Sequence, residues 1–431
     1  VGFTLGTMTC VKRPESTVGI LTLAAVSVVV TLVASSCGAS KSGPAEAATT
    51  TSESTITTPV TTRPSSTTSI PSAGDALPVE VPADFTTMLS APISGTTYHL
   101  AVDEPCASDT NDGLSASCVD GHGPWRTLAA LGSGPAISAG DAVVLSEGAY
   151  PVDITRDGVR IRESISGTTE SPIRFMAAEG ADVILDGGFR AEAWLASFDD
   201  RSAAAAEWTR TYHNTHVLAI DGDHVIVEGI TITGCAYACV QWRGTNSILV
   251  DSTIDGGVED GIKTTYLGTE DSPSRHNLVL HSDFSGFGDQ AIDAWGTRDF
   301  WVVGNHIHDS NPAINTEGRP GTPVWTKGGS RNVWYVENVF EDLRVRSHAL
   351  DLGGCCWHNW SGRDDDGNLL PVASGVHAVR NELSRIVTTA GRPWDGAIGV
   401  EGCRDCEVRD NVMTDVTAAI GVHDTRDGTN R

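Results

Sequence analysis

The sequence predicts an all-β chain wound as a parallel β-helix with coils of about 22 residues, and three observations carry that prediction. Ser252, Ser282, Asn305, Asn338, Asn381 and Asn411 each stand two residues ahead of an apolar one, namely Ile254, Phe284, Ile307, Phe340, Leu383 and Met413. A second column reads Cys239-Val240, Gly261-Ile262, Ala291-Ile292, Ala349-Leu350, Ala397-Ile398 and Ala419-Ile420, and the tightest steps of the two columns are 22 or 23 residues. The composition is turn-rich, with 46 Gly and only 6% aromatics. An apolar position constant in place but variable in kind is what one stacked core row requires.

From the N-terminus, Lys12 and Arg13 precede an apolar run from Gly19 to Ala34, and Ala34-Ser35-Ser36-Cys37 follows. A charged start, a short apolar core and small residues before a cleavage point make a secretory signal over 1–37. Cys37 after small residues resembles a bacterial lipobox, which implies lipidation there and an extracytoplasmic lipoprotein touching the membrane only through that lipid. Residues 38–82 have no hydrophobic period, and 49–68 hold 14 Ser/Thr, so a disordered tether is expected. The rest, 83–431, is expected to be one domain and a monomer. Residue 1 is Val and no polar capping segment follows the last coil, so truncation at the C-terminus is expected.

Tyr98-His99-Leu100-Ala101-Val102, Asn111-Asp112-Gly113, Pro124-Trp125-Arg126-Thr127-Leu128, Gly140-Asp141 to Tyr150 and Ser171-Pro172-Ile173 to Gly187 open the domain. This portion resembles secreted right-handed parallel β-helix proteins of the pectate-lyase-like superfamily. The resemblance implies a right-handed coil, a short N-terminal capping helix from about Trp125 to Leu131, and activity on polysaccharide as lyase, hydrolase or binding module. The Ser/Asn series is then a side-chain ladder in a turn, satisfying buried backbone groups.

Setting aside Cys10 and Cys37, eight of the ten cysteines remain, an even number for an oxidising compartment. Cys355 and Cys403 each lie six residues after a column alanine and are expected to pair across adjacent coils. Cys356 with Cys406, Cys106 with Cys118 and Cys235 with Cys239 complete the set. Zinc at Cys403-x-x-Cys406 is the rival.

Chemistry must lie outside the coil, whose interior the columns fill. The residue after each buried Ile or Leu points outward, giving Gln241, Lys263, Asp293, Asp351 and Gly399. Two further on stand Arg243, Thr265, Trp295, Gly353 and Glu401. One coil is ambiguous between Ala313-Ile314-Asn315 and Val324-Trp325-Thr326-Lys327. Counting back from Asn338 favours the second, which places Trp325 and Lys327 outward. Seven of the eleven Trp lie between 295 and 394, beside the longest insertions.

Three readings of this face follow. In calcium-assisted β-elimination from a uronate glycan, Lys263 or Lys327 with a lowered pKa is the base. Glu259, Asp260, Asp289 and Asp293 would hold the Ca2+, with Arg243, Gln241, Trp295 and Trp325 contacting substrate. In hydrolysis, Asp293 and Asp351 are the acid and base. In a non-catalytic glycan-binding module, the Trp alone suffice. A net charge of −26, from 29 Lys+Arg against 55 Asp+Glu, argues against a nucleic-acid partner. It also disfavours polyuronates unless a cation intervenes. His306 and His308 straddle an inward Ile and face outward on another sheet.

Overall fold

The computed structural model describes residues 77–132, 134, 136–156, 158–265, 273–354 and 372–423. Cys37, the tether up to residue 76, and Cys355 and Cys356 lie outside them. The chain is a parallel β-helix of three long sheets. The first runs from Thr97–Leu100 to Cys403–Arg404 and Glu407–Arg409, the second from Val159–Ile161 to Ile420–His423, and the third from Gly148–Pro151 to Val412–Thr414. Each strand pairs in parallel with strands of neighbouring coils, so one coil contributes one rung to each sheet.

The register places both predicted columns inside. Ile254, Phe284, Ile307, Phe340, Leu383 and Met413 are successive partners in the third sheet. In the second sheet the order is Val240, Ile262, Ile292, Val324, Leu350, Ile398 and Ile420, which settles the ambiguous coil on Val324. All but Met413 and Ile420 are buried.

Between the first and third sheets the chain turns sharply, because the residue ahead of each ladder position has a left-handed φ: Asp251 48°, His281 47°, Glu337 57°, Arg380 54° and Asp410 59°. That turn leaves a backbone N–H without a strand partner, and the next coil supplies one. Ser282 N donates to Asn305 Oδ1 at 2.8 Å, Asn305 N to Asn338 Oδ1 at 3.0 Å, Asn338 N to Asn381 Oδ1 at 3.0 Å and Asn381 N to Asn411 Oδ1 at 2.8 Å. The Nδ2 groups of Asn305, Asn338 and Asn381 donate to the next Asn in the series and to a backbone carbonyl behind them. This is the side-chain ladder expected from the repeat.

The expected helix from Trp125 to Leu131 does not form. Trp125 bridges to Leu100 in parallel and stacks on Tyr98, and only Leu128–Gly132 coil, as a 3-10 turn that buries Leu128 and Ala130. Asp109 fixes its start by accepting from the Arg126 and Thr127 amides at 3.0 and 2.7 Å, and Gly132 ends it one turn later. Two helices that the repeat does not announce, Ala191–Leu195 and Arg201–Thr211, fill the connection before His216–Ile220. Asp200 caps the longer one by accepting from Ala203 N at 2.8 Å.

A further helix, Ala83–Ser90, lies along the outer face of the first sheet. Phe85 and Met88 bury themselves against Ile226, Ile248, Leu278 and Trp301, and Arg174 takes the carbonyls of Met88, Leu89 and Ala91 at the helix end. The packing begins before residue 83, contrary to a tether reaching 82. Val81 is buried, and Glu80 pairs with Arg380 at 2.9 Å and Arg409 at 3.1 Å. The Arg380 guanidinium holds the Glu80 carboxyl down at about 2, below its ordinary value. A lowered carboxyl stabilises the folded state above its unfolded pKa, and the contribution is lost as pH falls through the folded value. Docking of residues 77–91 is therefore expected to weaken between pH ~4.5 and ~2, read as faster proteolysis ahead of Thr97. Glu80→Gln, already lacking the charge, is expected to show no such step.

Cysteines pair as Cys106–Cys118, Cys235–Cys239 and Cys403–Cys406. Cys403, on the first-sheet strand Cys403–Arg404, bonds Cys406, 6.0 Å away between Cα atoms, whereas counting from the column alanines predicts Cys355 for Cys403 and Cys356 for Cys406, both outside the described residues.

Candidate functional site

The second sheet carries the cluster. Gln241, Lys263, Asp293, Trp325, Asp351 and Gly399 are successive register partners on its outer face, and Trp295 is the partner of Lys327 two residues along. Period-two alternation turns them out wherever the column residue turns in. Gln241, Lys263 and Trp325 are half-buried, while Asp293 is 0%, Asp351 3% and Lys327 5% exposed.

Asp293 stands between two ammonium groups. Lys263 Nζ donates to Asp293 Oδ2 at 2.6 Å and Asp260 Oδ2 at 3.0 Å, while Lys327 Nζ lies 3.3 Å from Asp293 Oδ1. Lys327 sits 4.0 Å from the Trp325 ring centroid and 5.4 Å from that of Trp295; Lys263 is 5.3 Å from both Tyr237 and Trp295. Trp325 Nε1 is anchored on Gly353 O at 2.5 Å.

These neighbours set the charges. Burial opposes the ammonium of Lys263, but Asp260 and Asp293 outweigh it and raise its pKa well above the ordinary lysine value. Of the two lysines expected as the base, Lys263 thus has the opposite of the lowered pKa that elimination needs. Against burial, Lys263 and Lys327 hold the Asp293 carboxyl below its ordinary value. Asp351 moves the other way: burial, with Glu401 nearby and only partly opposed by His348, lifts it to about 7. The column thus holds one carboxyl kept ionised and, two rungs away, one that retains its proton up to about pH 7.

The expected calcium set does not fit. Burial pushes Glu259 to about 8, Asp260 to about 7 and Asp289 to about 6. Asp260 already accepts from Lys263. A calcium cage needs several oxygens about 2.3–2.6 Å from one point, and the oxygens of this set do not converge. Among the described residues, the groups whose ligand atoms lie within 4.8 Å of one another are His348, Asp351 and Glu401, and Asp283, His306 and His308.

Other predicted residues fare differently. Arg243 is spent on Asp221, donating from Nε and Nη2 at 2.7 Å each, and Gln241 stays half-buried beside Lys263. The sequence reading missed Tyr237, which stacks on Trp208 of the inserted helix, and it missed His348. His348 Nδ1 faces Gly396 O at 3.1 Å, and its Nε2 lies 3.5 Å from Glu401 Oε1. A Cβ at Gly399 or Gly421 would come within 2.4 or 2.9 Å of that ring, so glycines in an otherwise bulky column were the available signal.

This geometry defines a parallel β-helix protein with a buried acid–lysine cluster flanked by indoles on one sheet face. No family model matches the chain, and no curated protein matches it. Among solved structures it is similar to a pectate lyase, at 15% identity over 79% of this chain and 80% of that one with a TM-score of 0.43. It is also similar to a glycoside hydrolase, at 10% identity over 74% and 96% with a TM-score of 0.46. A third is an alginate lyase from Paenibacillus sp., at 12% identity over 77% and 98% with a TM-score of 0.38. At these identities the likeness is one of fold.

Proposed function

We propose that this chain hydrolyses a glycan outside the cytoplasm, held at the membrane through a lipid on Cys37, with Asp351 as general acid and Asp293 as the carboxylate that polarises the attacking water. The observation that carries this is the single outward row Asp293, Trp325, Asp351. Two carboxyls whose surroundings push their pKa values apart are the mark of acid and base roles. Their rungs are two strand spacings of ~4.8 Å apart, near the upper end of the ~6.5–9.5 Å between carboxyls in inverting glycosidases. The indole between them offers an apolar face to a sugar ring. A charge of −26 favours a neutral glycan over a polyuronate.

Elimination, the other enzymatic reading, asks Lys263, held by Asp260 and Asp293, or Lys327, 3.3 Å from Asp293, to act as the base. The test is incubation of the full chain with neutral glycans and polyuronates, with calcium and with chelator, following reducing ends and unsaturated-uronate absorbance together. Reducing ends without absorbance, indifferent to chelator, are expected. Absorbance that depends on calcium and disappears in Lys263→Ala would replace hydrolysis by elimination. Glycan binding with neither signal would leave a binding module.

Trp325→Ala is expected to raise KM about tenfold with a small change in kcat, since a stacking platform holds substrate and transition state alike. An unchanged KM in initial-rate measurements would remove Trp325 from the substrate path.

A further inference from the structure

We propose that Asp283, His306 and His308, on the outer face of the third sheet, form a three-ligand site for a divalent transition-metal ion of the zinc class. His306 and His308 are alternate residues of the strand His306–His308 and project to the same side. Asp283 is the register partner of His306 on the preceding coil. The three ligand atoms lie within 4.8 Å of one another.

The decisive feature is where the imidazole nitrogens point. His306 Nε2 is 2.9 Å from Glu341 Oε1, and its Nδ1 is 3.1 Å from Asp283 Oδ2. His308 Nδ1 is 2.9 Å from Asp309 Oδ2, and its Nε2 is 3.2 Å from both oxygens of Asp283. A neutral imidazole has one N–H to donate. If Glu341 and Asp309 take those, the remaining two nitrogens turn lone pairs toward one carboxylate. The two rings stack with centroids 4.1 Å apart, which brings both nitrogens to the Asp283 carboxylate. One divalent ion satisfies both nitrogens and the carboxylate at once.

The outer contacts match what a metal site needs. Metal-bound histidines usually donate the second ring N–H to a carboxylate, here Glu341 and Asp309, and Arg385 holds Glu341 in turn at 2.5 Å. Two nitrogens and one oxygen select a zinc-class ion over calcium. The side chains remain 22%, 20% and 33% exposed for His306, His308 and Asp283, so solvent can supply further ligands. The ion would tie two neighbouring coils together on a sheet separate from the Lys263 cluster.

The test is zinc uptake by the metal-stripped full chain, measured by equilibrium dialysis. About one equivalent is expected, with affinity at least tenfold weaker in His306→Ala and His308→Gln. Glu341→Gln is expected to weaken it ~10–100-fold, and Glu401→Gln, which alters the other convergent cluster, to leave it intact. In the wild type itself, zinc is expected to protect His306 and His308 from acylation by diethyl pyrocarbonate, mapped by mass spectrometry. No uptake, uptake unaltered by either histidine variant, loss with Glu401→Gln alone, or acylation of both histidines at saturating zinc would overturn the proposal.

Discussion

Asp351→Asn is expected to lower kcat of the proposed hydrolysis by ~10²–10⁴, the range over which positioned acid–base groups act, without lowering stability at neutral pH. Asn has the shape of the protonated carboxyl but no proton to give. The alkaline limb of the wild-type pH–rate profile should fall as pH rises past about 7, where Asp351 titrates; the group is coupled to its neighbours, so that midpoint belongs to the cluster. The stability sign is the reverse of the usual carboxylate case. A raised pKa means that between pH ~4 and ~7 the unfolded chain has lost a proton that the folded chain keeps, so stability falls as pH rises through that window. The asparagine variant lacks this loss. Its melting temperature should therefore decline less than that of the wild type between pH 4 and 7. Undiminished turnover in Asp351→Asn, by a reducing-end assay, would remove the residue from catalysis.

The largest stability effect is expected in the ladder. Asn338 is 0% exposed, accepts from the backbone N and Nδ2 of Asn305, and donates to Val302 O and Asn381 Oδ1. Asn338→Ala strands two donors and an acceptor in the interior. Each unsatisfied buried group costs ~1–3 kcal/mol, so a loss of about 3–9 kcal/mol is expected by chemical denaturation. The residue before it, Glu337, adds to this dependence, because its left-handed backbone is disfavoured for a side chain of that kind. A change below ~1 kcal/mol would mean that water replaces the side chain.

The columns were legible because stacking demands the same kind of residue at the same rung, and counting back from Asn338 found Val324 for the same reason. Which residues share the outer face followed from alternation. Their charge states did not. That Asp260 turns toward Lys263 and clamps it as a cation depends on side-chain direction within a coil, which spacing does not reveal. His348 was hidden because the room for its ring comes from Gly399 and Gly421, whose lack of a side chain looked like the absence of information. The helix Arg201–Thr211 has its own alanine run, which a search for β periodicity passes over.

The segment along the first sheet has a mechanical meaning. Entering from Leu77, the chain meets Arg380 and Arg409 through Glu80, on late coils, and only afterwards reaches Arg174, on an early one. It runs back against the order in which the coils are wound. A pull applied ahead of Leu77 therefore enters the stack near its far end and loads ion pairs and a buried Phe85 in shear, before any tension reaches the first strand at Thr97. Peeling the coils from their first rung would require this strap to detach first, so the strap shields the N-terminal coil from drag on whatever the outer faces hold.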